Sequence, residues 1–449
     1  MVSFAQNIVT KLKRRIYRTP FKKKKQHKST RENYNKILES NKNPSNKKLT
    51  IGIISIINIC GIVILYVLIT IIIAIIQFLP QEYPYTSKSK DNSTFQGDKK
   101  TILVFALDRT DNSHMFVDGI AVINYNYISK KIAIFSLNSD LKVYSAMLGR
   151  DVNIRTSFND IVDKTQRINI ITNALESLLA IKIDNYVVFD IRSFNNFARF
   201  FPLIKMQVDK PLKDVDTVDL PNKKYKEWGS GDNFINGSDV IEFLASDDNG
   251  EDDQLNRQVI YIKKLIENTF NLSLLVNIPQ ILKEIESSYF YTDLKKEEMI
   301  GILWNLAQVK ENDVKTGFTQ FSVYSRVYSV SYYPVYIVNY IKLDQDISSI
   351  FFDLNIFKEQ ARIELLNGSS IKGLAANRAR WITNIGARVI NVGNSYENEQ
   401  KTKIYCDNPQ MFIFTIKELQ RIFDNKALLI KKDYSGRHVG DIIIVIGND

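Results

Sequence analysis

Two carboxylates stand where this 449-residue sequence could hold a cation. Asp108 follows the apolar run Ile102–Leu107, and Asp118 precedes the apolar run Gly119–Asn124. Both runs are predicted strands, so the two aspartates lie at adjacent strand ends. A hard divalent cation prefers oxygen ligands and keeps water or phosphate oxygens in its other positions. The pair is chemically suited to such a cation, although each carboxylate could instead cap a strand or a turn.

Histidine and cysteine supply no comparable chemistry. The three histidines, His27, His114 and His438, are too scattered for a zinc site or a Ser-His-Asp triad. Cys60 lies in an apolar run and Cys406 lies far from it in the sequence, so an intrachain disulfide is not expected.

An acidic window interrupts the chain before a predicted helix. Residues 247–253 contain five acidic residues and no basic one, which is typical of either an exposed solvated loop or a cation site. Arg257 and Gln258 follow on the helix. The Arg257 guanidinium could serve a site or form a surface or buried ion pair.

The elements that must position these residues alternate between strands and helices. In addition to the two strands above, the patterning predicts strands Ile132–Leu137 and Tyr186–Asp190, a helix from Ile168 to Ala180, and one or two strands over Tyr324–Ile341. This alternation indicates an α/β sandwich.

A second, smaller α/β unit is predicted over residues 358–449. Its first strand, Ile363–Leu366, leads through Asn367-Gly368 into a helix whose inward face includes Ile371. Gly386 suits the left-handed position after that helix. Further elements are strands Val389–Val392 and 402–406, a helix Phe414–Phe423 and a closing strand near residue 444.

These segments resemble a known family. The runs ILVFALDRTD, VDGIAVINYNYISKKIAIFSLNSD and ALESLLAIKIDNYVVFD are similar to the LytR-CpsA-Psr family, and residues 361–395 are similar to the LytR-type C-terminal domain. The resemblance implies a sandwich domain over residues 101–345. It also implies transfer of a glycopolymer from a polyprenyl pyrophosphate carrier onto peptidoglycan, with a divalent cation.

The resemblance assigns roles to six residues. Asp108 and Asp118 match the acidic positions implied to bind Mg²⁺. The implied catalytic residues are Arg109, Asp140, Arg257 and Gln258, and the two arginines among them are also implied to bind the substrate.

Several family arginines are missing. The family's Pro-Arg-Asp is Asn138-Ser139-Asp140 here, and three further arginine positions are occupied by Ala245, Asp247 and Gln254. A pyrophosphate is strongly anionic and is usually neutralised by guanidinium groups, so these losses weaken the expected clamp. Other arginines could compensate, and the sequence offers three: Arg150, Arg155 and Arg192.

The N-terminal segment predicts membrane attachment. Residues 51–79 form an apolar run of 29 residues, and the predicted span covers 49–80. Residues 1–48 contain 15 lysines and arginines against two glutamates, whereas the whole chain carries only +11. The positive-inside rule therefore predicts a cytoplasmic tail at the plasma membrane, a polar linker over 81–100 and extracytoplasmic domains beyond it. Nucleic-acid binding by the tail is the less favoured alternative.

Two functions remain open at this stage. The departures from the family pattern favour a degenerate relative that binds envelope glycan, lipid or protein without turnover. The alternative is an active Mg²⁺-dependent phosphotransferase that attaches a polyprenyl-pyrophosphate-linked glycopolymer to peptidoglycan. A transcriptional regulator is not expected, because an outward-facing domain cannot reach DNA.

Overall fold

The structure is a computed structural model that describes residues 66–67, 69–71, 73–75, 77–78, 99–109, 114–213, 226–268, 272–306, 309–320, 324–327 and 335–448. The predicted tail and most of the predicted membrane span and linker lie outside these residues. No helix among the described residues is long and apolar enough to cross a membrane. The chain divides into two compact units, Met1–Thr70 and Ile71–Asp449, and every element below belongs to the second.

The strands of the first domain follow one another from residue 99 to residue 338. In chain order, those in the described part of the domain are β1 (Lys99–Asp108), β2 (Phe116–Asn126), β3 (Lys131–Leu137), β4 (Lys142–Ser145), β5 (Arg150–Asn153), β6 (Asn185–Asp190), β7 (Ile204–Val208), β8 (Leu212–Lys213), β9 (Glu227–Trp228), β10 (Gly231–Ile235), β11 (Phe290–Thr292), β12 (Val314–Phe318), β13 (Tyr324–Val327) and β14 (Val335–Val338).

The helices of this domain are distributed between the strands. They are α1 (Ser157–Asp160), α2 (Arg167–Leu179), α3 (Ile191–Ala198), α4 (Val240–Ala245), α5 (Glu251–Asn268), α6 (Leu272–Ser287), α7 (Lys296–Leu306), α8 (Tyr340–Phe351) and α9 (Leu354–Glu359).

A six-stranded mixed sheet forms the centre of the first domain, in the order β11-β6-β1-β2-β3-β12. β1, β2 and β3 run antiparallel to one another, whereas β6 is parallel to β1 and β12 is parallel to β3. The four strands predicted before residue 191 are all present. The Tyr324–Ile341 segment contains the antiparallel pair β13–β14, followed by the start of α8.

The apolar alternation of the strands explains why helices cover both faces of this sheet. Leu103, Phe105 and Leu107 are fully buried on one face, against α2 and α8. Ile132 and Ile134 are buried on the other face, against α5. Each such side chain contributes about 1.5–3 kcal/mol on burial. The predicted mixed α/β fold is confirmed.

The second domain is a smaller α/β unit. Its elements are β15 (Arg362–Asn367), α10 (Leu374–Asn384), β16 (Arg388–Asn394), β17 (Lys403–Tyr405), α11 (Ile413–Ile422), β18 (Leu428–Ile430) and β19 (Ile442–Ile446). The sheet order is β16-β15-β19-β17-β18, with β15 parallel to both β16 and β19.

The start of α10 differs from the prediction. The helix begins at Leu374, after Gly373 with φ of +78°, and Ile371 is 58% exposed rather than inward-facing. Ile371 precedes this left-handed glycine, so it lies in a turn and outside the apolar stripe of the helix. Gly386 has the predicted positive φ, at +95°.

Buried ion pairs join the two domains. Arg421 of α11 donates from Nη1 to Asp184 Oδ2 at 2.8 Å, just before β6, and from Nη2 to Glu418 Oε1 at 2.7 Å. Lys99 Nζ lies 3.1 Å from Glu418 Oε2 and 3.3 Å from Asp353 Oδ2. The two domains therefore share a charged network that neither could complete alone.

Candidate functional site

Several charged residues meet at one edge of the six-stranded sheet. Asp108 ends β1 and Asp190 ends the parallel strand β6, with Leu107 directly opposite Asp190 in the register. Asp118 lies at the start of β2, and Asp140 follows the end of β3. Ligand sites in α/β proteins commonly lie at the carboxyl ends of parallel strands. The fold thus assembles four of the chain's carboxylates at an edge where binding sites are common.

A β-bulge sets the position of Asp118. Ala106 pairs with Gly119 and Leu107 pairs with Val117, so Asp118 is the extra residue on β2. Such an insertion bends the strand and redirects one side chain. The Asp118 side chain remains 35% exposed.

Arg155 links two of these carboxylates. Its Nε donates to Asp140 Oδ1 at 2.6 Å and its Nη2 to Asp140 Oδ2 at 3.2 Å, which forms a bidentate pair. Its Nη1 donates to Asp118 Oδ1 at 3.2 Å. A guanidinium therefore stands inside the site, between the predicted metal ligand Asp118 and the predicted catalytic Asp140.

The β4–β5 hairpin brings Arg155 to this place. Lys142 pairs with Asn153, and Ile154 N donates to Leu141 O at 2.9 Å. Extending the same register by one step sets Arg155 opposite Asp140. The Arg155 carbonyl also accepts from Val117 N at 2.8 Å, which fixes this backbone to β2.

The pKa of Asp118 is raised first by burial and then by neighbouring like charge. Desolvation raises the pKa of this carboxyl, and Asp108 and Asp140 raise it further, although Arg155 lowers it. Burial alone would lower the pKa of Arg155, but Asp140 and then Asp118 raise it. Arg155 thus stays charged, while the ionised form of Asp118 is disfavoured.

Arg109 lies beside this group with unused hydrogen-bonding capacity. Its guanidinium carbon is 4.0 Å from the centre of the Tyr289 ring, and Nη1 is 3.7 Å from Asp190 Oδ2, beyond hydrogen-bond distance. Its Nε atom is buried and has no hydrogen-bond partner among the described residues. A buried donor without a partner is uncommon and is a reason to look for a ligand.

Arg257, by contrast, is directed into the protein. It is 4% exposed, and its Nε donates to Phe243 O at 3.3 Å. Its terminal nitrogens contact Asp253 and the carbonyl of Ser246. Burial lowers the pKa of Arg257 to about 10. All three nitrogens are therefore engaged in closing the end of α4 onto α5.

Gln258 and Glu251, the residue of the acidic window that begins α5, are both held by hydrogen bonds. The Gln258 amide oxygen accepts from the Ser136 hydroxyl of β3 at 3.0 Å. Glu251, the first residue of α5, accepts from Asn138 Nδ2 at 2.7 Å and from the Tyr336 hydroxyl at 2.8 Å. The part of the window that begins α5 is thus hydrogen-bonded structure rather than a solvated loop.

The fit of a magnesium ion rests on Asp108 and Asp118. No group of three or more His, Cys, Asp or Glu side chains in the described part of the chain is placed to hold a metal. Mg²⁺ is commonly held by one or two protein carboxylates together with substrate phosphates and water. Two carboxylates whose proximity already raises one pKa fit that mode of binding, in which the substrate supplies further oxygens. The cation would neutralise phosphate charge.

The structure thus groups some predicted residues and separates others. Asp108, Arg109, Asp118 and Asp140 come together at the sheet edge, whereas Arg257 and Gln258 contact α4 and β3. Arg155 was one of three arginines that the sequence could not place. The Gly149-Arg150 turn and the short flanking strands were the signal for the hairpin that places it. Arg150 itself lies outside this group, and its Nη1 donates to Asp151 O at 3.4 Å.

Comparison with family profiles shows which protein family the chain belongs to. The profile described as the LytR_cpsA_psr family matches residues 79–345, which is more than half of the chain. The chain belongs to the LytR-CpsA-Psr family. A second profile, described as LytR cell envelope-related transcriptional attenuator, matches residues 360–449. The chain is therefore related to the cell envelope.

The chain is also similar to several solved structures at low sequence identity. TagV of B. subtilis is 16% identical, with a TM-score of 0.46 over 57% of this chain and 97% of that one. Protein gbs0355 of Streptococcus agalactiae is 15% identical, with a TM-score of 0.44 over 58% and 91%. TagT bound to LIIa-WTA is 15% identical, with a TM-score of 0.43 over 58% and 95%. No curated protein matches the chain.

Proposed function

We propose that this protein binds the pyrophosphate of a polyprenyl-linked cell-wall glycopolymer at the edge formed by Asp108, Arg109, Asp118, Asp140 and Arg155, and that it does so without turnover. The observation that carries the proposal is the buried Arg109 Nε, which has no partner among the described residues. An anionic oxygen would supply that partner and form a charge-assisted hydrogen bond.

Charge balance makes the binding dependent on a cation. Among the side chains that the structure describes at this edge, four aspartates, including Asp190, surround two arginines, so a free pyrophosphate would meet net repulsion. Asp108 and Asp118 would hold Mg²⁺, which would supply positive charge to offset that of the phosphate. Arg109 would then orient the phosphate. The negative charges of Asp140 and Asp190 would disfavour the binding of a second anion.

The engagement of the other arginines supports binding over turnover. Arg155 already directs all three nitrogens at Asp118 and Asp140, and Arg257 directs its nitrogens at Asp253 and two carbonyls. Phosphoryl transfer depends on cationic groups that stabilise the developing charge, and one well-placed arginine contributes orders of magnitude in rate. Arg109 would be the only guanidinium at this edge with a free buried donor in the described part of the chain.

Phosphotransfer remains the second candidate, because Arg155 stands within the acidic group where a lost family arginine would be needed. In that reaction the acceptor hydroxyl would form a bond to the sugar-side phosphorus. The bond to the polyprenyl phosphate would break, and that phosphate would leave. With Asp118 engaged as a cation ligand, the Arg155 nitrogen that now donates to it would be available to the substrate.

The cellular setting belongs to the same proposal. A single membrane span over 49–80, a cytoplasmic tail and extracytoplasmic domains at the plasma membrane would bring the site to a membrane-borne lipid carrier. The partners would be that glycolipid and peptidoglycan, with no role for nucleic acid.

A binding assay tests this function directly. Full-length protein in detergent would be titrated with a polyprenyl pyrophosphate, with Mg²⁺ and with EDTA. We expect Mg²⁺-dependent binding that Arg109→Ala weakens by about tenfold, the effect of losing one charge-assisted hydrogen bond of about 1.4 kcal/mol. Asp108→Ala should abolish the Mg²⁺-dependent binding. Arg150→Ala is the matched control, because Arg150 is an exposed arginine outside the site.

The results separate the two candidates. Wild-type protein that fails to bind in Mg²⁺, or an Arg109→Ala protein that binds normally, would exclude the proposed site. Mg²⁺-dependent release of polyprenyl phosphate in the presence of a glycan acceptor would establish phosphotransfer instead of binding alone.

A further inference from the structure

The second domain has its own hollow at the carboxyl ends of its parallel strands. Asn367 ends β15, Asn394 ends β16 and Ile446 ends β19, and Asn367 is in register with both of the others. A cavity of about 510 Å³ opens at this edge. Its lining is mostly polar: Asn367, Ser369, Ser370, Lys372, Gly373, Asn394, Ser395 and Asn398. This volume is within the range of about 300–1,000 Å³ usual for ligand sites.

Backbone hydrogen bonds hold the loops that form this hollow in place without a ligand. Gly368 N donates to Ile446 O at 2.9 Å, and Glu399 N donates to Gly368 O at 2.7 Å. A Cβ atom on Gly368 would lie 3.1 Å from both the Glu397 and Ile446 carbonyl oxygens, so the close approach of these loops favours glycine. The site is therefore preformed, which lowers the entropic cost of binding.

Unused polar groups surround the hollow. Within the described residues, the side chains of Lys372, Asn394 and Asn398 have no hydrogen-bond or ion-pair partner, whereas Ser370 and Asn367 are bound to the loops themselves. An asparagine amide both donates and accepts, so it matches a sugar hydroxyl or acetamido group in either orientation.

An exposed aromatic ring is close in sequence to these groups. Tyr396, between the lining residues Ser395 and Asn398, is 104% exposed, so both faces of its ring are open. A tyrosine presents a rigid apolar body with a polar tip, which suits the apolar face of a pyranose ring as well as its hydroxyls.

We propose that this hollow is a glycan-binding site of the second domain, with Tyr396 as the stacking platform and Asn394 and Asn398 as the hydrogen-bonding groups. The ligand class is a neutral or weakly anionic glycan strand, with Lys372 facing any anionic substituent. The site is separate from the pyrophosphate site of the first domain and does not depend on that proposed function.

Sedimentation with insoluble cell-wall sacculi tests this site. Full-length protein in detergent and EDTA, which silences any cation-dependent binding at the first site, would be mixed with two preparations. One is peptidoglycan stripped of attached polymers, and the other retains those polymers. A preference between the two identifies which glycan is bound. Soluble chito-oligosaccharide serves as a competitor.

We expect Tyr396→Ala to weaken binding by about tenfold, a typical loss for truncation of an aromatic hot spot. Asn394→Ala should act in the same direction. Tyr144→Ala is the matched control, because Tyr144 is 55% exposed on β4 of the first domain. Wild-type protein that sediments with neither preparation, or a folded Tyr396→Ala protein that binds as well as wild type, would overturn the proposal.

Discussion

The two sheets of this protein present the same kind of edge with opposite chemistry. In the first domain, Asp108, Asp140 and Asp190 collect at strand ends and Arg155 is held among the acids. In the second domain, Asn367 and Asn394 end their strands in the same way, around a hollow lined by one lysine and no acid. The sheet topology thus determines where a site can form, and the residues at the strand ends determine which ligand it can bind.

The difference also has an energetic side. At the first edge, burial and then the neighbouring carboxylates raise the pKa of Asp118, so its ionised form is disfavoured in the absence of a cation. The second edge carries exposed amides that cost little when unbound. A charged edge therefore suits a cation-dependent ligand, whereas an amide-rich edge suits a neutral one.

The largest expected effect tests whether the two domains that carry these edges stabilise one another. Arg421→Ala should lower the free energy of unfolding by about 4 kcal/mol, because it leaves the buried Glu418 and the half-buried Asp184 without their main partner. Chemical denaturation at neutral pH measures this loss. Arg437→Ala, an exposed arginine of the same domain, is the control and should have little effect. Equal stability of the two variants would separate the edges into independent units.

The same network has a defined pH dependence. Burial alone would raise the pKa of Glu418, but Arg421 and then Lys99 lower it to about 2 from its usual 4.5. The folded pKa is lowered, so the stability it contributes is present above pH 4.5 and is lost as the pH falls towards about 2. The difference between wild type and Arg421→Ala should shrink over that window.

The next effect decides which arginines belong to the charged edge. Arg257→Ala should lower the free energy of unfolding by about 3 kcal/mol, since two buried carbonyls and Asp253 lose their donor. Mg²⁺-dependent binding per folded molecule should persist. Arg199→Ala removes an exposed pair with Glu284 and serves as the comparison. Loss of binding at full stability would restore the substrate role that the family resemblance implies for Arg257.

The smallest effect sharpens the electrostatic contrast. Asp118→Asn should raise stability by about 0.5 kcal/mol at pH 7 without divalent cations, a value discounted because a third of the side chain is exposed to screening solvent. The raised folded pKa means that ionised Asp118 costs stability, and the gain should vanish below pH 3.8, the usual value for Asp. Asn394→Asp at the other edge should change stability much less. A destabilised Asp118→Asn protein would contradict this account of the raised pKa.

Local patterning predicted the elements well because their signals are local. The strands around Phe105 and Ile134 alternate or run apolar without interruption, and the β2–β3 turn is stabilised by Asn126, whose side chain accepts from Ile128 N and Ser129 N. The positive φ at Gly386 also follows from a local rule.

The site was only partly predictable because its completion depends on register and burial. Asp108, Asp118 and Asp140 could be grouped from strand ends, but Arg155 reaches them only through the pairing of β4 with β5. The inward orientation of Arg257 depends on carbonyls at the end of α4, whose position no local pattern encodes. Tertiary contacts therefore decide which charged residues of a divergent family member face the ligand.

The Arg421–Asp184 pair also orders events during biogenesis. Its partners are 237 residues apart, so Asp184 leaves the ribosome long before the guanidinium that neutralises it. Until the second domain has been synthesised and docked, Asp184 and Lys99 of the first domain lack the partners that the second domain supplies. Contacts of such long range close slowly, and chaperone protection during synthesis would matter most in that interval.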